Sequence, residues 1–161
     1  MKTDRPRIAI PKTSLDQTFE WLSIAALLFL WIHAFYFYSK LPDTIPVHYN
    51  IKGEVDRYGS KGTIWFLPTL GLVIFSGFGL LNRYPHVFNY AKPITEENAL
   101  REYSLAVRLF RLLRVIILLF FVFINIQIIE GISKLEWWVL PLLFAGLLVP
   151  TGVYVYKAMK K

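Results

Sequence analysis

Four blocks of apolar residues constrain this chain more than any other feature. They run approximately Phe19–Tyr38, Thr63–Leu81, Leu109–Ile129 and Trp137–Tyr156. Each is close to the roughly 20 residues that a helix needs to cross the ~30 Å hydrocarbon core of a bilayer. A segment in hydrocarbon must satisfy its own backbone hydrogen bonds, so only helices and closed barrels span. Barrel strands alternate apolar and polar positions over about ten residues. These blocks are apolar all round. The expected fold is therefore an all-α integral membrane protein with four transmembrane helices. Composition agrees: 55% of the 161 residues are hydrophobic, 17% are aromatic, and the mean hydropathy is +0.45. A soluble domain carries fewer apolar and more charged residues. The expected organisation is one four-helix membrane domain over residues 1–161. It has a cytoplasmic tail at 1–18, an outward loop at 39–62 and a cytoplasmic connection at 82–108.

The first block reads as a retained anchor. The 18 residues before it are polar and carry charges of both signs, and no small-x-small cleavage site follows it. Cysteine is absent, which excludes disulfides and thiolate metal sites.

Basic residues near the spans set orientation. The N-terminal tail carries Lys2, Arg5, Arg7 and Lys12. The connection after the second block carries Arg83, Lys92, Arg101, Arg108, Arg111 and Arg114, and the C-terminal tail carries Lys157, Lys160 and Lys161. The other side has Lys40, Lys52, Arg57, Lys61 and Lys134. Acidic residues divide almost evenly, so the formal net charge of +7 sits on one side. The expectation is a multi-pass protein of the cell inner (plasma) membrane with both termini cytoplasmic. The basic balance does not point to nucleic acid. Its residues hug the spans, where anionic lipid attracts each by about 1 kcal/mol. The lipid bilayer is the expected partner.

Within the connection, Tyr84–Pro93 is broken by prolines and rich in aromatics, and is expected to lie on the membrane surface. Thr95 is a good N-cap, with Glu96 and Glu97 in the first turn. No Pro or Gly follows until Gly131, so one helix is expected from Glu96 to about Ile129. Its first turns should project into the cytoplasm, with Leu100, Tyr103, Val107 and Phe110 as an apolar face. Arg108, Arg111 and Arg114 fall at the inner boundary. An anionic-lipid or phosphate site is one reading, and snorkelling of long side chains to the headgroups is the plainer one. Either makes them inner-face lipid contacts.

The spans hold few polar groups. His33, Asn125 and Gln127 are expected to make interhelical hydrogen bonds. Apart from the boundary arginines, no charged residue lies deep in a span. Gly71, Gly77, Gly79, Gly146 and Gly152 offer close-approach surfaces, and Pro68, Pro141 and Pro150 offer kinks. Trp and Tyr cluster near the span ends, as in an aromatic belt.

The outward loop is the densest polar segment. Pro42 and Pro46 keep its start extended. Val47-His48-Tyr49 and Val55–Tyr58 read as two short strands around an Asn50–Gly53 turn, a small β-hairpin. Such a hairpin is marginal alone, so it must rest on the helix ends or on a partner. His48, Glu54 and Asp56 could meet across it as a metal or acid–base cluster. The plainer reading pairs Asp56 with Arg57, Lys61 or the turn amides and leaves His48 a local hydrogen bond. There is no second His at a metal spacing. No catalytic, metal or cofactor-binding residue is therefore assigned, and no cofactor is expected.

The run Leu41-Pro42-Asp43-Thr44-Ile45-Pro46-Val47-His48-Tyr49-Asn50 resembles the signature of a bacterial membrane family, domain of unknown function 1648. Gly53, Asp56, Tyr58, Gly59 and Lys61 continue the likeness. That family also forms the N-terminal half of SdpI-like immunity proteins, which protect bacteria from a secreted killing peptide. Pro46, His48, Asn50, Gly53, Asp56, Gly59 and Lys61 fill its pattern. The stretches Tyr84–Tyr90 and Ile94–Ala99 resemble stand-alone members, so the likeness covers about residues 20–125. With four spans, the chain is expected to lack the additional C-terminal half of full SdpI-like proteins.

The resemblance implies a non-enzymatic inner-membrane protein. Its outward loop, through Pro46, His48, Asn50, Gly53, Asp56, Tyr58, Gly59 and Lys61, would recognise an extracytoplasmic peptide or a membrane-protein partner, in immunity or stress signalling. Two alternatives stand beside it. A subunit of an oligomeric small-molecule transporter or channel is weakened by the absence of deep charges. A membrane enzyme using His48, Glu54 and Asp56 is weakened by the lack of a nucleophile–base or metal spacing.

Overall fold

A computed structural model describes residues 5–160. Lys2 and Lys161, counted above among the basic residues, lie outside the described residues. The elements are α1 (Ser14–Tyr38), β1 (Thr44–Tyr49), β2 (Val55–Ser60), α2 (Phe66–Leu81), α3 (Glu96–Ile129) and α4 (Val139–Met159). A 3-10 stretch over Lys61–Trp65 leads into α2, and a single 3-10 turn at Pro85–Val87 follows it. As the apolar blocks require, among the described residues four helices, α2 together with its 3-10 lead-in, are long and apolar enough to cross a membrane. The first two are joined by a two-stranded antiparallel hairpin.

Local chemistry explains where the helix ends depart from the apolar blocks. α1 begins at Ser14, five residues before the first block. The Thr13 hydroxyl accepts from the Asp16 N–H at 3.3 Å, and the Asp16 carboxylate accepts from the Thr13 N–H at 2.9 Å. This capping box satisfies orphan donors of the first turn. Hydropathy is blind to so polar a start. Pro68 and Pro141 were expected to kink their helices. Both fall in a first turn, where the missing N–H would have had no intrahelical partner. Only Pro150 sits inside a helix.

α3 runs unbroken for 34 residues, about 51 Å at 1.5 Å per residue. Asn98 reaches back to the Thr95 N–H at 3.0 Å and holds its start. Its projecting turns bury Ala99, Tyr103, Ala106 and Val107, whereas Leu100, expected on that face, is exposed. The cover is the N-terminal tail and the α2–α3 connection. The Tyr103 hydroxyl donates to the Pro6 carbonyl at 3.1 Å, and Arg5 donates to the His86 carbonyl. Phe88 meets Phe110 edge-on, with ring centroids 4.9 Å apart.

α3 touches the other three helices and β1, so it is the spine of the molecule. α1 lies parallel to it. Ala26, Leu30 and Leu118 form the middle of the core, with Phe75 of α2 against them. Gly71 lets α2 approach there. A Cβ on it would lie 3.2 Å from Leu118 and 3.3 Å from Leu30. Gly77 and Gly152, also expected to permit close packing, face nothing within 4 Å. A second cluster of Ala34, Leu41, Ile45, Ile64 and Ile128 ties the hairpin to the helix ends. Outward faces expose Trp21, Phe35, Phe66, Leu142 and Leu148. Apolar surface this extensive suits a lipid environment and not water.

Candidate functional site

The hairpin folds as it does because of its turn. Asn50 Oδ1 accepts from the N–H groups of Lys52 and Glu54 at 2.8 and 3.1 Å, closing an Asx-type loop. Gly53 adopts φ +77°. The strands pair Thr44 with Ser60, Ile45 with Gly59, Pro46 with Tyr58, His48 with Arg57 and Tyr49 with Val55. The ladder is irregular around Val47 and His48. Pro46 donates no hydrogen bond, which a strand beside such an irregularity tolerates.

The sequence did not show that the α3–α4 connection completes this unit. The Leu135 N–H donates to the Gly53 carbonyl at 2.7 Å, and the Val55 N–H donates to the Ser133 carbonyl at 3.0 Å. The Tyr49 hydroxyl donates to the Ile132 carbonyl at 2.8 Å. A Cβ at Gly53 would sit 2.8 Å from the Leu135 carbonyl oxygen. Gly53 is thus required both by its backbone conformation and by the neighbouring chain. Burial, with a smaller contribution from Tyr58, pushes the Tyr49 phenol up to about 12.

The acidic residues of the hairpin divide among separate partners. His48 Nδ1 lies 2.6 Å from Asp56 Oδ1, and both side chains are about half exposed. Glu54 pairs instead with Lys134 at 3.0 Å. Asp43 pairs with Lys61 at 2.8 Å. Each lysine, by hydrogen bonding first and charge second, holds its carboxyl below the usual carboxylate range. His48 and Asp56 are therefore brought together, and Glu54 is drawn away. Among the described residues no group of three or more His, Asp or Glu side chains is placed to hold a metal. Tyr58 and Ile51 project outward from the hairpin. Gly59 lies against Val47, whose Cγ1 would be 3.0 Å from an added Cβ.

Beneath β1 lies a cleft of about 320 Å³. Pro46, Val47 and His48 form one wall, and Phe66, Ile124 and Leu140 of three different helices line the rest. Its surface is mostly apolar, and His48, Tyr49 and Thr63 are the polar residues among its lining.

The opposite end of the bundle carries the three arginines assigned to lipid headgroups. The structure gives them protein partners. Asp16 accepts from Arg108 at 3.2 Å and from Arg111 at 3.1 Å. Glu20 accepts from Arg111 at 3.2 Å and from Arg114 at 2.6 Å. Arg114 Nε also donates to the Ser23 hydroxyl at 3.1 Å. Arg111 and Arg114 are only 5% and 1% exposed, so they are held within the bundle and not extended to its surface as snorkelling side chains would be. Arg108 keeps about a third of its side chain exposed. The physical reason is spacing. Asp16, Glu20 and Ser23 lie on one face of α1, opposite Arg108, Arg111 and Arg114 on one face of α3. The same alignment carries His33 to Asn125, with Nδ1 and Oδ1 2.8 Å apart, the expected interhelical hydrogen bond.

The fold is thus a bundle of four helices of membrane-spanning length, capped at one end by a hairpin. Residues 25–72 match the model of the family described as domain of unknown function (DUF1648). The matched stretch covers most of α1, the whole hairpin and the start of α2. An uncharacterised protein of Archaeoglobus fulgidus is 32% identical over 87 residues, 49% of this chain and 48% of the archaeal one. The matched region thus spans about half the length of that relative. No solved structure matches.

Proposed function

We propose that this is a non-enzymatic multi-pass membrane protein whose hairpin end faces outward and recognises an extended apolar segment of a peptide or protein partner. Immunity to a secreted peptide, or stress signalling, is the setting the family resemblance suggests. The observation that carries the reading is the apolar cleft under β1, lined in part by His48, whose imidazole pairs with the half-exposed Asp56. The walls supply apolar contact, and the paired imidazole and carboxylate supply orientation. Main-chain bonds to Ser133 and Leu135 hold the hairpin in shape, which lowers the ordering cost of binding. Asp43, Glu54 and Asp56, the carboxylates of the hairpin segment, each face a basic side chain, which favours a structural and recognition role for them over catalysis.

The test is site-specific photocrosslinking in cells from position 47 or 48, with the exposed Leu148 of α4 as the control position. A crosslinked polypeptide that depends on the cleft should appear from the hairpin and not from Leu148. It should weaken with Asp56→Asn and, probed from position 48, vanish with Val47→Trp, which fills the cleft. If only lipid is captured from both sites, or if Val47→Trp leaves the crosslink intact, the reading fails.

A further inference from the structure

A second cavity, of about 690 Å³, opens at the other end of the bundle between α1, α2 and α3. It is larger than the cleft under β1 and of opposite character. Lys12, Arg83, Arg111 and Arg114 line it, and Glu20 is the acidic residue in its wall. Two carboxylates, Asp16 and Glu20, serve three guanidinium groups in the α1–α3 ladder, which leaves one positive charge uncompensated. Among the described residues neither Lys12 nor Arg83 forms an ion pair with a carboxylate, so both add to that excess.

Asn82 lies at the edge of this cavity and caps the end of α2. Both polar atoms of its amide are shielded from solvent, and neither has a hydrogen-bond partner. No water-sized group reaches either atom, so the amide is turned away from the cavity and Asn82 borders it through the rest of the residue. A cavity lined by surplus guanidinium and ammonium groups suits an anion with several acceptor oxygens.

The geometry points to a binding site for a phosphate group, held by Lys12, Arg83, Arg111 and Arg114 in the cavity between α1, α2 and α3. Arg111 and Arg114 form a floor already fixed by Asp16, Glu20 and Ser23. Lys12 and Arg83 lie outside those pairs and are free to close on the ligand. The phosphate can belong to the headgroup of an acidic phospholipid or to a free phosphate compound. The site is independent of the proposed role of the hairpin.

The experiment uses the full chain purified in mild detergent and in nanodiscs. Phosphatidic acid in phosphatidylcholine nanodiscs, and inorganic phosphate in detergent, are the two probes. Bound lipid is counted by native mass spectrometry, and phosphate binding is read from the shift of the thermal midpoint. Retention of phosphatidic acid over phosphatidylcholine without a phosphate shift supports the site and assigns it to a lipid. A saturable phosphate shift supports it and assigns it to a soluble ligand. The double variant K12Q/R83Q leaves the buried ladder intact and should weaken either response at least about tenfold, as expected for lost charge-assisted hydrogen bonds. Arg108→Gln, outside the cavity, should not. Neither probe binding, or K12Q/R83Q binding like the unmodified protein, overturns the proposal.

Discussion

At Gly53 two demands fall on one residue. Its φ of +77° penalises any side chain, and the Leu135 carbonyl occupies the place a Cβ would take. Gly131 has φ +67° but nothing within 4 Å. Comparing the two separates the effects. Gly131→Ala should cost about 1 kcal/mol from backbone strain alone. Gly53→Ala should cost clearly more, because the hairpin must also part from residues 133–135. Equal shifts in thermal midpoint would show that the hairpin and the α3–α4 connection are not locked together. Tyr49 tests the same junction through pH. Its phenol is raised from 10.0 to about 12. A raised folded-state value contributes stability that is complete below pH 10 and lost as pH climbs towards 12. The protein should therefore loosen over that window, read by tyrosinate absorbance together with the unfolding midpoint. Tyr49→Phe should remove Tyr49's part of that dependence. The turn conformation at Gly53 was legible in Asn50-Ile51-Lys52-Gly53. The chain segment pressed against it was not, because residues 133–135 carry no local pattern that names a distant partner.

Among the elements, α3 was the most legible and α1 the least. Thr95, the acidic first turn and the absence of Pro and Gly sufficed to place both ends of α3. Its continuity gives a direct test. Ala106 is buried and mid-helix, so Ala106→Pro should cost roughly 3 kcal/mol or more. Unchanged expression and thermal midpoint would mean the helix is broken there already. The apolar block of α1 starts late because its first turn is polar, and its acidic face then loses its meaning. Asp16, Glu20 and Ser23 stand in plain view at helical spacing, as do Arg108, Arg111 and Arg114. Placing Asp16 in a tail and Glu20 and Ser23 in a span, with the arginines as headgroup contacts, hides their match. Glu20→Gln removes the carboxylate from two largely buried guanidinium groups and should destabilise by about 3 kcal/mol or more. The double variant E20Q/R114Q should be less harmful than the sum of the two single changes, since each removes a charge the other needs. Strict additivity of the unfolding midpoints would show that the ladder carries no coupling.

For the whole molecule, the apolar blocks dictated the helix count, and the hairpin motif located the first connection. What they could not dictate was which loops meet, since membrane-length helices can be bundled in several orders. The structure settles this through two observations. α1 and α3 run parallel along a polar ladder, and the hairpin bonds to the α3–α4 connection. Positions 52 and 136 must therefore face the same side of any membrane, and position 87 the other. The chain has no cysteine, so single substitutions report cleanly. Lys52→Cys, Glu136→Cys and Val87→Cys alter exposed side chains, and none of the three lies in the buried ladder. In intact cells an impermeant thiol reagent should label positions 52 and 136 and spare 87, because the basic residues gather at the end that holds position 87 and favour the cytoplasmic side. Labelling of 87 alone would invert the orientation and turn the cleft under β1 towards the cytoplasm, ending the case for an outward partner. A split between 52 and 136 would contradict the bundle itself, since the hydrogen bonds from Val55 to Ser133 and from Leu135 to Gly53 cannot form across a bilayer.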